Sequence, residues 1–157
     1  VVVTNQSVIG RGLCSEEDVE QIHLALQELL SYGQANIDSF YYCPHHPTEG
    51  LGRYLLDCEC RKPQPGMLVR AAADLGLDLS SSVIVGDSLS DMEAGWAAGC
   101  RTVLVATGHG VETKRRMDAH LRQPDYIATG LDAAIDWILD RRIGLRSGSG
   151  ADSGKRT

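Results

Sequence analysis

The chain predicts an α/β fold with a parallel sheet and helices on both faces, Rossmann-like and three-layered. Three observations predict it. Short apolar, β-branched runs alternate with amphipathic helical stretches from one end to the other. Polar, chemistry-bearing residues stand directly after those runs, where the carboxyl edge of a parallel sheet collects functional groups. The 157 residues, 43% hydrophobic and 23% charged, suit one domain with a real core, and no internal repeat or second domain is visible.

Val1 to Thr4 read as a buried strand that runs into a polar loop at Asn5, Gln6 and Ser7. A helix follows from the N-cap Ser15, with Glu16, Glu17 and Asp18 in its first turn. Val19, Ile22, Leu26, Leu29 and Leu30 recur at helical spacing as its apolar face, and Gly33 stops it. Residues 37–43, IDSFYYC, are a second strand, and a loop rich in Cys and His comes next. Pro65 stands where a helix can start, and Leu68, Ala72 and Leu75 form its apolar face. Residues 81–87 are a third strand ending at Asp87, followed by a short helix capped by Ser90 and stopped by Gly99. Residues 100–108 and 124–128 are the fourth and fifth strands. The closing helix carries Leu131, Ile135, Ile138 and Leu139 on one face. The Gly- and Ser-rich run 144–157 lacks periodicity and predicts a disordered tail, leaving 1–143 as the folded domain.

The net charge of −6 argues against broad nucleic-acid or membrane binding, while leaving room for a local cationic pocket. No apolar run approaches the roughly 18 residues of a membrane helix. Five cysteines, an odd number, do not read as a disulfide framework.

The loop between the second strand and Pro65 brings together Cys43, His45 or His46, Cys58 and Cys60. Three thiolates and an imidazole make a closed tetrahedral Zn2+ site, and two close pairs a dozen residues apart can fold back onto one ion. The plain alternative is buried cysteine with surface histidine, and the Cys-Glu-Cys spacing disfavours a redox pair. Spacing does not choose between His45 and His46. Arg61 and Lys62 follow the last cysteine directly, so an ion that fixes Cys60 also fixes where these cations emerge. Such a pair suits a phosphate, or is simply solvated. Asp87, just past a strand, with Asp91 four residues on, suits Mg2+, or merely ends a strand and opens a helix. Thr4, Asn5, Gln6 and Ser7 offer hydroxyls and amides to phosphate oxygens, or simply make a turn.

In this order the residues resemble the haloacid dehalogenase superfamily of phosphatases, from Val1 to about Arg141. The resemblance implies a phosphatase without a large cap domain, acting in the cytoplasm as a monomer on a small-molecule sugar phosphate and using Mg2+ and Zn2+. Thr4 is similar to the family's phosphate-binding hydroxyl, and Lys62 to its charge-neutralising lysine. Asp87 resembles the Mg2+ ligand, with Asp91 behind it. On the same basis Cys43, His45, Cys58 and Cys60 hold zinc, which favours His45 over His46. Asn5, Gln6, Ser7, Arg11, Arg61 and Lys62 contact the substrate. A histidinol-phosphate branch carries a similar zinc loop; Ile9-Gly10-Arg11-Gly12 and the longer Cys43-Pro44-His45-His46-Pro47 segment favour the sugar branch.

Two departures stand out. Val8 occupies a position where the family pattern has Gly, and a β-branched residue resists positive φ. The family's Asp-x-Asp-Gly-Thr motif, which carries the nucleophile and the acid/base, is expected on a strand upstream of Val1, and the 157 residues contain no Asp-x-Asp. The chain therefore looks like a phosphatase lacking its opening strand, of doubtful activity alone. A non-catalytic zinc module that binds a phosphosugar or a partner is the alternative of another class. A missing strand would also expose a sheet edge through which chains can associate.

Overall fold

A computed structural model describes residues 1–117 and 122–147. Its strands pair in parallel, as the alternation of elements predicts, but in two separate ladders. Strand β1 (Val2–Asn5) pairs with β2 (Phe40–Cys43), placing Thr4 opposite Tyr42. Strand β3 (Val83–Gly86) pairs with β4 (Arg101–Val105), which pairs with β5 (Tyr126–Ala128). Between these strands run α1 (Ser7–Gly10), α2 (Glu16–Tyr32), α3 (Gly66–Leu75), α4 (Leu89–Ala98), α5 (Gly110–Met117) and α6 (Leu131–Ser147). The sequence reading did not anticipate α1 and α5.

Side chains alternate across each ladder, so each face finds its own helices. Tyr41 and Cys43 of β2 pack on Met67 and Ala71 of α3. Leu104 of β4 packs on Met92 of α4 and Met117 of α5. Phe40 and Tyr42 point the other way and meet His23 of α2, whose ring stacks 4.4 Å from Phe40. Val103, Val105 and Ala128 meet Ala134 of α6, with Trp137 stacked on Tyr126. Helices α3 and α4 touch each other. The result is three layers: α3, α4 and α5 on one face, the two ladders, and α2 with α6 on the other.

Several elements differ in detail from expectation. Helix α4 is capped by Ser88, not Ser90: the Ser88 Oγ accepts the Asp91 N–H while the Asp91 carboxylate accepts the Ser88 N–H. On α2 only Val19 of the expected apolar face is buried; Ile22 and Leu29 are 65% and 67% exposed. The helix lies on its Val19–His23 side, because its partner is a ladder of only two strands. On α6 the expected face is also turned out, with Leu131, Ile135 and Leu139 exposed. Ala134 is buried instead, since a small side chain lets the helix approach β5 closely. Leu75 of α3 is likewise exposed, and Met67 and Ala71 carry the contact. Helix α6 continues through Ser147, past the expected start of the tail, and 148–157 lie outside the described residues.

Candidate active site

The carboxyl ends of β1, β2 and β3 lead into the segments that carry the chemistry. The Cys/His loop leaves β2 at Cys43 and returns to α3 through Lys62. Cys43, Cys58 and Cys60 place their sulfurs 3.1, 3.2 and 3.5 Å apart. His45 Nδ1 lies 3.6 Å from the Cys43 sulfur and 3.4 Å from that of Cys60. An ion about 2.3 Å from each sulfur at tetrahedral angles sets edges of about 3.7 Å, so this donor set fits one Zn2+-sized ion with little movement. His46 is used otherwise: its Nδ1 accepts the N–H of Glu49 at 3.0 Å within the loop's own turn. Geometry thus separates two histidines that spacing could not.

Protonation supports the same reading of the donors. Burial pushes the Cys60 and Cys43 thiols up. Burial also acts against ionising Cys58, but hydrogen bonds from the Cys60 and Cys43 sulfurs outweigh it and hold this thiol below its ordinary value. Metal ligation takes cysteines as thiolates, so a cation bound here would displace the thiol protons.

The loop is anchored on both sides. Tyr54 donates to Glu16 at the start of α2, and Arg53 pairs with the same carboxylate at 2.9 Å. Arg61 donates to the His45 carbonyl at 3.1 Å, so its guanidinium ties the two limbs of the loop together. Asn5 clamps the loop's end to β1: its side-chain amide donates to the Lys62 carbonyl and accepts the Lys62 N–H, both at 3.0 Å. The Lys62 ammonium then stands 2.9 Å from the Val3 carbonyl and 2.6 Å from Asp91 Oδ1, with both charged side chains nearly buried. Asp91 Oδ2 is held by Ser88. Asp91 is thus bound by Lys62 and its own helix cap.

Asp87 leaves β3 with one oxygen, Oδ2, accepting the His109 N–H at 2.8 Å, while its carbonyl accepts from the Thr113 hydroxyl. The second carboxylate oxygen takes no hydrogen bond from the described residues and could ligate a hard cation. Gly108 makes this approach possible. Its φ is +58°, and a Cβ there would stand 2.2 Å from Asp87 Oδ2. The sequence reading places Thr107 and Gly108 at the same sheet edge as Asp87 but gives them no role, and it does not single out Thr113.

Thr4 is half-buried at the end of β1, beside the carbonyl that Lys62 contacts. Gln6 donates its backbone N–H to the Cys43 carbonyl at 2.8 Å and leads into α1. Ser7 is buried and receives Arg11 at both its hydroxyl and its carbonyl, while Arg11 also reaches Glu49 across the loop. Val8 lies inside α1, and among described residues other than Gly only Gln34 has positive φ. The loop therefore does not require Gly at that position. The geometry brings together Lys62 and Asp91 beside the end of β1, and separately the Cys/His set; Arg11 and Arg61 brace the loop that joins them.

Comparisons with known proteins identify the family. A family model described as HAD-hydrolase-like matches residues 59–134, from the end of the Cys/His loop to the start of α6. A D-glycero-D-manno-heptose-1,7-bisphosphate 7-phosphatase of Chlorobaculum tepidum is 40% identical over 140 residues, covering 86% of this chain and 69% of that protein. The corresponding β-anomer enzyme of Photorhabdus laumondii is 43% identical over 122 residues, with 77% of this chain and 65% of that protein covered. The chain thus spans about two thirds of the curated relatives it matches. Among solved structures, D,D-heptose 1,7-bisphosphate phosphatase from B. bronchiseptica, complexed with magnesium and phosphate, superposes with a TM-score of 0.78. It is 34% identical, with 90% of this chain and 74% of that one covered. The chain belongs to the D-glycero-D-manno-heptose 1,7-bisphosphate 7-phosphatase family of haloacid dehalogenase-like hydrolases.

Proposed function

We propose that this chain supplies the phosphate- and metal-binding part of a phosphatase that removes the 7-phosphate of a heptose 1,7-bisphosphate, in the cytoplasmic route to envelope heptose. One observation carries the reading. Lys62 is held nearly buried beside the Thr4 strand end by the Asn5 clamp, the Val3 carbonyl and Asp91. A preorganised cation at the strand end that carries Thr4 is suited to charge that develops on phosphoryl oxygens. Thr4 and Lys62 hold the transferring phosphoryl group, and Asn5, Gln6, Ser7, Arg11 and Arg61 shape or contact the sugar phosphate. Asp87 holds Mg2+, which when bound shields the phosphate charge. Cys43, His45, Cys58 and Cys60 hold Zn2+, which fixes the loop that delivers Arg61 and Lys62.

Because the 157 residues contain no Asp-x-Asp, the isolated chain binds its phosphosugar with little or no turnover. This is the non-catalytic reading in its most specific form. Calorimetric titration with heptose 1,7-bisphosphate and Mg2+ tests both parts. Saturable binding is expected, weakened at least about tenfold in Lys62→Ala, since a hydrogen bond to a charged group is worth roughly 1.5–3 kcal/mol. Equal or tighter binding of histidinol phosphate would shift the substrate assignment to that branch. Enzyme-like Mg2+-dependent turnover by the pure chain would refute the expectation of inactivity.

A further inference from the structure

The first turn of α5 holds Asp87 at two points. The His109 N–H, at the head of the helix, donates to Asp87 Oδ2 at 2.8 Å, and the Thr113 hydroxyl donates to the Asp87 carbonyl, also at 2.8 Å. The two donors form one rigid piece, because the Thr113 N–H donates to the His109 carbonyl at 2.9 Å.

Thr113 departs from the usual habit of a helical threonine. Inside a helix a Thr hydroxyl can return to a carbonyl three or four residues back on its own helix. The Thr113 hydroxyl crosses instead to the residue that follows β3, 26 positions away in the chain. The side chain is only 6% exposed, and a buried hydroxyl needs a protein partner; the Asp87 carbonyl is that partner.

The Asp87 carbonyl needs Thr113 in return. Asp87 is the single residue between Gly86, where β3 ends, and Ser88, the N-cap of α4. The first bonds of α4 run back to the Ser88 carbonyl, so this helix leaves the Asp87 carbonyl unused. Arg101 donates to Ser82, so by strand alternation residues 82, 84 and 86 serve β4 and Asp87 does not. Neither flanking element therefore fixes the Asp87 carbonyl, and Thr113 does. Holding Oδ2 alone would leave the residue free to pivot about that one bond.

We propose that Thr113 is a positioning residue for Mg2+ binding. Its hydroxyl fixes the main chain of Asp87 while the His109 N–H sets the rotation of the carboxylate, so the remaining oxygen is a preorganised ligand atom. The inference rests on the reading of Asp87 as the Mg2+ ligand. Outer partners that orient a metal ligand contribute about 10- to 100-fold in affinity.

The test is calorimetric titration of the 157-residue chain with Mg2+ alone. Thr113→Val keeps the shape of the side chain and removes the hydroxyl, and its Mg2+ affinity is expected to fall about tenfold. Thr113→Ser keeps the hydroxyl and the parental affinity. Thr102→Val controls for general loosening. Thr102 is also buried and its hydroxyl also holds a bond, to Asp125, near the start of β4 and away from Asp87. This variant melts lower yet binds Mg2+ as the parent does. Should Thr113→Val not fold, Thr113→Ala carries the same expectation. Parental affinity in Thr113→Val, an equal loss in Thr102→Val, or failure of Thr113→Ser to keep the affinity overturns the positioning role. Asp87→Asn separates that failure from failure of the reading beneath it. Lost binding in Asp87→Asn beside unchanged binding in Thr113→Val removes the role of Thr113 alone. Parental binding in Asp87→Asn, or no Mg2+ binding by the parent, removes Asp87 as the ligand and this proposal with it.

Discussion

Consider Asp91→Ala in the intact chain. The Lys62–Asp91 pair is 2.6 Å long, and its side chains are only 12% and 9% exposed. Removing one member of a buried pair leaves the other charge uncompensated, which costs about 3–5 kcal/mol. The same change removes the carboxylate half of the Ser88 capping box, for about 1 kcal/mol more. With a shift of roughly 2–4 °C per kcal/mol for a chain of this size, the melting temperature falls by roughly 8–24 °C. Lys62→Met removes the other charge and keeps the apolar stem. The double variant buries no lone charge, so it is less destabilised than the two single variants summed, by at least about 2 kcal/mol. Urea unfolding followed by circular dichroism on the four proteins closes the cycle. Additivity within about 0.5 kcal/mol would show that the two side chains do not act on each other, and would remove the reason for placing Lys62 as a preorganised cation.

The remaining predictions concern the loop, Asp87 and pH. His45→Ala lowers Zn2+ affinity at least about 100-fold in a competitive chelator titration, whereas His46→Ala changes it little, because only His45 faces the three sulfurs. Gly108→Ala and Gly99→Ala both place a Cβ on a residue with positive φ, a strain of about 1–2 kcal/mol. Only at Gly108 does that Cβ meet a carboxylate, so only Gly108→Ala also weakens Mg2+ binding, measured by calorimetry. The Tyr54 hydroxyl, against some opposition from burial and with help from Tyr42 and Arg53, holds the Glu16 carboxyl below its ordinary value. The folded value is depressed, so this anchor contributes fully above the unfolded value of about 4.3 and is lost as pH falls through the folded one. Thermal melts of Glu16→Gln and the parent from pH 3 to 7 should therefore differ most at neutral pH and converge at the acid end.

The local elements were legible where one residue type has one job. Gly99 ends α4 in the left-handed conformation, Ser15 caps α2 with Asp18 returning the bond, and the β-branched runs are strands. Helix faces were less legible, because spacing reveals an apolar stripe but not which stripe meets a partner. On α2 the contact goes through His23 stacked on Phe40, a pairing invisible to hydrophobic periodicity. The cap of α4 was misplaced by two residues because Ser88 and Ser90 are equally good caps in isolation, and only Ser88 has Asp91 at the third helical position. Candidate metal donors could be read from residue types; spacing left His45 and His46 open, the resemblance favoured His45, and the geometry sets His45, not His46, against the sulfurs. Asn5 and Arg61 show the converse limit: polar residues beside a site look like ligand contacts, yet here both spend hydrogen bonds on the backbone of the loop.

Those backbone bonds explain why so much of the loop serves positioning. Thr4 and Asn5 belong to one ladder and Asp87 directly follows a strand of the other, and among the described residues no strand pairing joins the two. Site geometry therefore depends on what spans the gap. Lys62 spans it directly, reaching β1 through Val3 and the α4 cap through Asp91. Helix α3 spans it by packing, with its Met67 and Ala71 on β2 and its flank against α4. Both bridges begin at the end of the Cys/His loop, because Cys60, Lys62 and the start of α3 are separated by only a few residues. An ion that fixed Cys60 would thus restrain both bridges at their root. The Cys/His loop therefore acts, through Lys62 and α3, on the distance between the end of β1 and the carboxylate just past β3.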